Sequence, residues 1–460
     1  MTTLDPHNVA TWTEQPYEEL LNLSAEEVAD VQQQALKIRF ESLRPQLEAL
    51  DKLATQQGVD RVEEIDDVLP VLFDHRVYKS YPLSLIEKRQ FSRLTVWLNR
   101  LTTHDLKSVP LDGVDSVDDW LSRLDEHGMI IGHSTGTTGK LSFIPRSRTE
   151  WPAWRTDHFE SLRFATGLDM RTEKIHNFAA GYRYGHQMMA KQGMLFGAET
   201  AGGDAYRHML YDYRLSSDLL SLAGRMRAAE ERGELDQLQI DPRLLEERKQ
   251  LIEAASHREE DLQHWFEKLA VEFRGQKVLV GGTSADMVRL ALKGKEVGLQ
   301  VQFAPGSVLA VGGGFKGFKD APANWKEVLQ EFFGIPKMAS FYGMSEMIAA
   351  NPICDAGFFH IAPYTIPILL NEDAQRLPAA GTQTGRMAFY DLLAETYWGG
   401  FISGDRVTIT FDGECACGFS SARVHPEITR FADLAGGDDK ITCAGTAKAY
   451  NDFMDYVGGA

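Results

Sequence analysis

The segment Ser134-Thr135-Gly136-Thr137-Thr138-Gly139-Lys140 concentrates the residue types that bind anions. Glycines permit positive φ and let backbone N–H groups converge on an anion. Ser134, Thr135, Thr137 and Thr138 add hydroxyl donors, and Lys140 adds a point charge. A loop of this kind can hold a polyphosphate. It is not a Walker A loop, because Ser134 stands at that pattern's first Gly and Leu141 at its Mg²⁺-binding Ser or Thr. A polar surface turn is the plainer reading of such a composition. The apolar flanks Met129-Ile130-Ile131 and Leu141-Ser142-Phe143-Ile144 instead predict a loop between two buried strands.

Two further segments follow in order: Ser340-Phe341-Tyr342-Gly343-Met344-Ser345-Glu346 and Phe401-Ile402-Ser403-Gly404-Asp405-Arg406. Singly, Tyr342-Gly343 reads as a strand end with a turn and Gly404-Asp405 as a hairpin turn. Together, and at these spacings, the three resemble the adenylate-forming superfamily of acyl-CoA synthetases, adenylation domains and luciferases. Ser142, and the glycine run Gly312-Gly313-Gly314-Phe315-Lys316, are similar to the branch that holds phenylacetate–CoA ligases and acyl-protein synthetases.

The resemblance implies that Ser134 to Lys140 wraps the β- and γ-phosphates of ATP. It implies that Gly312 to Gly314 leave adenine room against bare backbone, and that Tyr342, beside Gly343 and Met344, stacks on the base. Ser345 would bond the α-phosphate and Glu346 would hold Mg²⁺, a hard ion suited to carboxylate oxygens. Asp405 would accept the ribose hydroxyls. Gly437-Asp438-Asp439-Lys440-Ile441 and Gly445 resemble the hinge that leads into a small C-terminal domain. Gly436 stands where that hinge usually has Arg, so Arg423 or Arg430 is the candidate ribose partner. The branch also implies a tetrahedral Zn²⁺ held by Cys354, His360, Cys415 and Cys417. The alternative for those four is three buried thiols and an unrelated His. Cys443 is a candidate acylated thiol, or a small apolar residue in a strand.

The reaction so implied is attack of a carboxylate on the α-phosphorus of ATP, with loss of pyrophosphate. The acyl group then passes to a thiol of CoA, a carrier protein or a protein cysteine. Alternatives are capture by an amine or a partner reductase, as in secondary metabolism, or a nucleotide-binding module without turnover. The aromatic segment Asn177 to His186 suggests an aryl or fatty acid, with Arg183 and His186 receiving a second polar group.

The elements that must position these residues have an α/β texture. Residues 1–125 read as a helical region integral to a large adenylation domain, with a capping box at Ser24-Ala25-Glu26-Glu27 and an amphipathic pattern to about Leu53. Residues 126–384 alternate strand, glycine turn and helix, which implies parallel pairing in nucleotide- and acyl-binding subdomains. Residues 385–435 read as a β-rich, barrel-like subdomain, and 436–460 as the hinge with a remnant of the small domain. A net charge of −18 argues against nucleic acid or an anionic membrane as the main partner. The first residues carry neither the basic nor the apolar region of a signal peptide, so the cytoplasm is the expected compartment.

Overall fold

A computed structural model of the chain describes residues 4–134, 139–234, 249, 257–315, 318, 320–434 and 445–459. Thr135 to Thr138, Lys316, the Gly437–Ile441 hinge motif and Cys443 therefore lie outside the described residues. The chain forms two compact units, one from Met1–His158 with Gly343–Ala460 and one from Phe159–Tyr342.

The first unit begins with helices. Ser24 caps helix α1 (Ala25–Leu43), and the reciprocal bonds of the capping box are both made with Glu27. The amphipathic pattern continues beyond Leu43, but Pro45 cannot continue a helix. A second helix, α2 (Glu48–Gln57), therefore starts afresh and ends at Gly58 with φ of 72°. Strand β1 (Phe73–Asp74) follows, then α3 (Phe91–Asn99) and α4 (Val117–Glu126). Strands β2 (Gly132–His133) and β3 (Phe143–Ile144) are buried and antiparallel, and flank the Ser134–Lys140 segment as its apolar borders predict. Helix α5 (Trp151–Thr166) carries the chain past His158.

The second unit is a five-stranded parallel sheet. Its elements are β4 (His176–Gly185), α6 (Met188–Ala198), β5 (Arg207–Leu215), α7 (Ser217–Glu231), α8 (Arg258–Glu267), β6 (Val278–Thr283), α9 (Ser284–Glu296), β7 (Val308–Gly312), α10 (Trp325–Phe333) and β8 (Met338–Ala339), followed by the short β9 (Phe341–Tyr342). The spatial order β5-β4-β6-β7-β8 reverses direction between β4 and β6. In such sheets ligands lie outside the carboxyl ends of the strands near that reversal. The core sets Phe178, Val278, Val280, Leu309 and Val311 of the strands against Val288, Ala291, Leu329 and Phe333 of the helices. Gly294 is required here, since a Cβ would fall 2.2 Å from the Phe332 ring.

Back in the first unit the chain turns to β-structure: β10 (Asn351–Pro352), β11 (Phe359–His360), β12 (Thr365–Leu370), β13 (Thr382–Asp391), β14 (Gly400–Thr410), β15 (Arg423–Val424) and β16 (Thr429–Arg430). One sheet runs β11-β15-β14-β13-β12, and both β1 and β16 also pair with β14. Gly404 and Asp405 lie within β14, not in a hairpin turn.

The last helix, α11 (Ala447–Gly458), packs against α2. Phe453 stacks on Phe73, and the backbone N–H of Asp74 donates to the Tyr450 hydroxyl at 2.9 Å. Arg100 donates to the carbonyls of Tyr456 and Val457, which satisfies acceptors left open at a helix C-terminus. Among the described residues no helix is long and apolar enough to cross a membrane.

Candidate functional site

The turn that carries Ser345 and Glu346 is held by buried charged side chains. Arg146, fully buried just beyond β3, donates to the carbonyls of Ser345 (2.7 Å) and Met347. Its guanidinium also lies 4.6 Å from the Trp154 ring centre, and its Nε donates to the Tyr397 hydroxyl. Asp391, at the end of β13, accepts from the N–H groups of Ile348 and Ala349 with one oxygen and from Leu393 with the other. Asp157, on α5, accepts from Ala350 N–H at 2.8 Å and from the Tyr364 hydroxyl. Tyr17 donates to the Ala350 carbonyl. Five of the six residues from Ser345 to Ala350 are thus gripped through their backbone.

Glu150 ties the segment after β3 to residues 395–396. It accepts from Ser147 N–H and Oγ and from the N–H groups of Glu395 and Thr396. None of Arg146, Glu150, Asp157 or Asp391 belongs to the three sequence motifs. A charged residue in a sequence reads as solvent-facing unless its partners are known. The only local hint was Arg146 directly after a run of apolar residues.

Several motif residues meet in this unit. Glu346 is half-buried; burial lifts its carboxyl above the usual range, and Arg146, Lys79 and Arg430 pull it back. Asp405 lies opposite Arg430 in the β14–β16 register, with Arg430 Nε 3.8 Å from its carboxylate. Lys140 donates to the Tyr81 carbonyl at 2.7 Å, and burial with the nearby Lys79 charge lowers its pKa. Ser134 is tied across the loop, its Oγ accepting from Ser142 N–H at 3.1 Å. Gly139 has φ of 91°, as a glycine turn requires.

Arg423 lies elsewhere. It donates to the Gly413 carbonyl and faces the Phe358 ring, beside His360 and Cys415. Of the two candidate ribose partners, Arg430 is the one beside Asp405.

Gly312 to Gly314, Tyr342, Arg183 and His186 belong to the second unit, while Gly343 and Met344 open the turn in the first. Gly312 closes β7 and Gly313 and Gly314 follow it, where Ser284 at the start of α9 donates to the carbonyls of Gly312 and Gly313. A Cβ built on any of the three glycines would meet nothing within 4 Å. Internal packing therefore does not require glycine at Gly312 or Gly314, and open space beside bare backbone is what a flat base needs. Tyr342 is buried in β9. Arg183 is engaged by Asp212 and Asp204 and donates to the Arg207 carbonyl, so it is committed within its own unit. His186 is buried against Lys191.

Cys354, His360, Cys415 and Cys417 converge, with their ligand atoms all within 4.8 Å of one another. Bonds of about 2.0–2.3 Å to one tetrahedral ion would set such atoms about 3.3–3.8 Å apart. His360 Nε2 lies 3.2 Å from Cys417 Sγ, and its Nδ1 is fixed by Ser421 Oγ at 2.8 Å. Two matching turns present the thiols. Cys354 and Cys415 each take a bond from the N–H three residues on, at Gly357 and Gly418, both with positive φ. The repeated Cys-x-x-Gly spacing is the sequence signal of this pair of turns.

No protein-family model matches the chain, and no curated protein matches its sequence. Among solved structures, an open conformation of 2-hydroxyisobutyryl-CoA ligase in complex with 2-HIB-AMP and CoA is similar, with a TM-score of 0.54 and 13% identity over 90% of this chain and 72% of that one. ATP-bound MatB from Rhodopseudomonas palustris matches with a TM-score of 0.36 and 14% identity over 66% of this chain and 48% of that one. The amide bond synthetase McbA from Marinactinospora thermotolerans matches with a TM-score of 0.35 and 13% identity over 70% and 53%. The fold is that of the adenylate-forming ligases.

Asp157 gives the clamp a pH dependence. Burial lifts its carboxyl from 3.8 to about 7, against the pull of the Tyr364 and Ala350 bonds. The folded state therefore holds a proton that the unfolded chain has lost between those values. Its stabilisation is complete below about pH 4 and is lost as pH rises through 7, by up to about 4 kcal/mol. An Asn at this position can accept from Ala350 N–H with its Oδ1, present its Nδ2 to a Tyr364 hydroxyl turned to accept, and cannot ionise. Chemical denaturation at pH 5 and pH 8.5 should show Asp157→Asn level with wild type at the lower pH and more stable at the higher. Parallel curves would contradict the assignment.

Proposed function

We propose that this protein activates a carboxylic acid with ATP, releasing pyrophosphate, and passes the acyl group to a thiol. The observation that carries the reading is the backbone-clamped turn bearing Ser345 and Glu346, in one unit with Lys140 and the Asp405–Arg430 pair, on an adenylate-forming ligase fold. The substrate carboxylate attacks the α-phosphorus, and the bond to the bridging oxygen of the β-phosphate breaks. Two anions must approach, so catalysis consists of positioning and of stabilising charge. Lys140 neutralises the departing phosphates. The Ser345 hydroxyl donates to the α-phosphate, and the Arg146 clamp fixes its backbone. Asp405 receives the ribose hydroxyls with Arg430 beside it, and Gly312 to Gly314 bound the space for adenine. Glu346 supplies a hard oxygen ligand for Mg²⁺, which when bound offsets phosphate charge.

The thiol acceptor is supported by the similar 2-hydroxyisobutyryl-CoA ligase, whose structure contains both 2-HIB-AMP and CoA. The aromatic residues of β4 outside the core, Tyr182 and Tyr184, support an aryl or fatty acid. A panel of carboxylates read by pyrophosphate release tests the whole reading. One class of acid should stimulate release, and Lys140→Ala or Glu346→Gln should lower it by roughly 10²–10³. If no acid stimulates release by the wild type, the reading fails. CoA, hydroxylamine and a carrier protein offered in parallel identify the acceptor.

The Cys₃His set fits structural Zn²⁺ in ligand type and spacing. Elemental analysis of protein purified without added metal should find close to one zinc per chain, and much less in Cys415→Ser. Zinc well below one per chain in the wild type would refute the site.

A further inference from the structure

Lys140 is held by a residue far upstream in the sequence. Its Nζ donates to the Tyr81 carbonyl at 2.7 Å and to the Lys79 carbonyl at 3.4 Å. The same ammonium stands 5.3 Å from the centre of the Tyr81 ring. The far end of that ring carries a hydroxyl that donates to the carbonyl of Leu141, the next residue after Lys140, at 3.0 Å. One side chain and its own carbonyl thus hold both the charge of Lys140 and the backbone beside it.

The nature of these partners matters. Among the described residues Lys140 makes no ion pair. A carboxylate partner would neutralise the ammonium and compete with any phosphate. Carbonyl dipoles and a ring face orient the cation while leaving its net charge intact.

Tyr81 is itself immobile by packing. It is fully buried, with its ring against Trp97 at 5.0 Å and Phe143 at 5.5 Å. The preceding residue is fixed as well: Trp97 Nε1 donates to Ser80 Oγ at 2.8 Å. Gly458 of α11 backs onto the Ser80 carbonyl so closely that a Cβ there would approach to 2.9 Å. The C-terminal helix is thus the wall behind the segment that holds Lys140.

We propose that Tyr81 is a positioning residue for polyphosphate binding, holding the Lys140 ammonium oriented but un-neutralised so that phosphate meets a preset charge. The proposal rests on the reading of Lys140 as a phosphate contact and adds how that contact is preorganised. Preorganisation raises affinity by removing the ordering cost at the moment of binding.

A double-mutant cycle tests it, with equilibrium binding of ATP·Mg²⁺ measured for wild type, Tyr81→Phe, Lys140→Ala and the double variant. Tyr81→Phe keeps the ring and the carbonyl but loses the hold on Leu141. It should weaken binding about three- to tenfold when Lys140 is present and leave it unchanged in the Lys140→Ala background. Equal losses in both backgrounds would overturn the proposal, since a merely structural Tyr81 would not depend on Lys140. A second readout needs no nucleotide: the rate at which an amine reagent labels Lys140 in the free protein, resolved by peptide mass spectrometry. Tyr81→Leu, which also removes the ring, should speed labelling of Lys140 several-fold while other lysines keep their rates. An unchanged Lys140 rate would refute the hold. If Tyr81→Leu does not fold, labelling of Tyr81→Phe and the binding cycle decide. If wild type binds no ATP, the proposed function fails, and the labelling comparison still decides whether Tyr81 sets Lys140.

Discussion

The first unit depends on one costly arrangement: buried charges that spend their hydrogen bonds on the backbone of a single turn. An arginine and two aspartates out of water are each expensive unless their bonding capacity is filled. Here it is filled by the peptide groups of residues 345–350, which would themselves be expensive to bury unpaired. The charges and the turn therefore require one another. Removing Arg146 would leave the Ser345 and Met347 carbonyls without their donor and take a nearby positive charge from Asp391. That mutual dependence fixes the backbone at Glu346 without using its side chain, which stays available in a field set by Arg146, Lys79 and Arg430.

The same logic recurs at the edges of the unit. Glu150 ties the segment after β3 to residues 395–396 entirely through backbone N–H groups and hydroxyls. Arg100 fills the carbonyls at the end of α11. Lys140 meets carbonyls instead of carboxylates. Charged groups in this unit hold main chain in place, and the side chains with chemical potential are left standing on it. The thiol cluster is a separate device of the same kind, in which two glycine-terminated turns set Cys354 and Cys415 facing His360 and Cys417.

Much of this was legible in the sequence because it is local. The capping box at Ser24, the buried strands around the Ser134–Lys140 segment and the β–glycine–α alternation around Val280 and Val311 depend on neighbours within a few residues. The Cys₃His convergence followed from residue type and family resemblance. What stayed hidden is non-local. Pro45 ended a helix whose apolar pattern ran on. Gly404-Asp405 looked like a turn, yet the pairing of β14 with both β13 and β16 makes it mid-strand. Arg423 and Arg430 were indistinguishable until the sheet put one beside Cys415 and the other beside Asp405. Arg146, Asp157 and Asp391 were invisible because a buried ion is defined by partners distant in sequence. The first unit is also assembled from two stretches separated by 184 residues, Phe159–Tyr342, which no linear scan reveals.

Hydrogen exchange at the amides of Ile348, Ala349 and Ala350 tests the clamp most directly. These N–H groups point at Asp391 and Asp157. They should exchange as slowly as the interior of β13 in the wild type, and at least tenfold faster than that strand in Arg146→Leu. Exchange within seconds in the wild type, as in an exposed loop, would contradict the account.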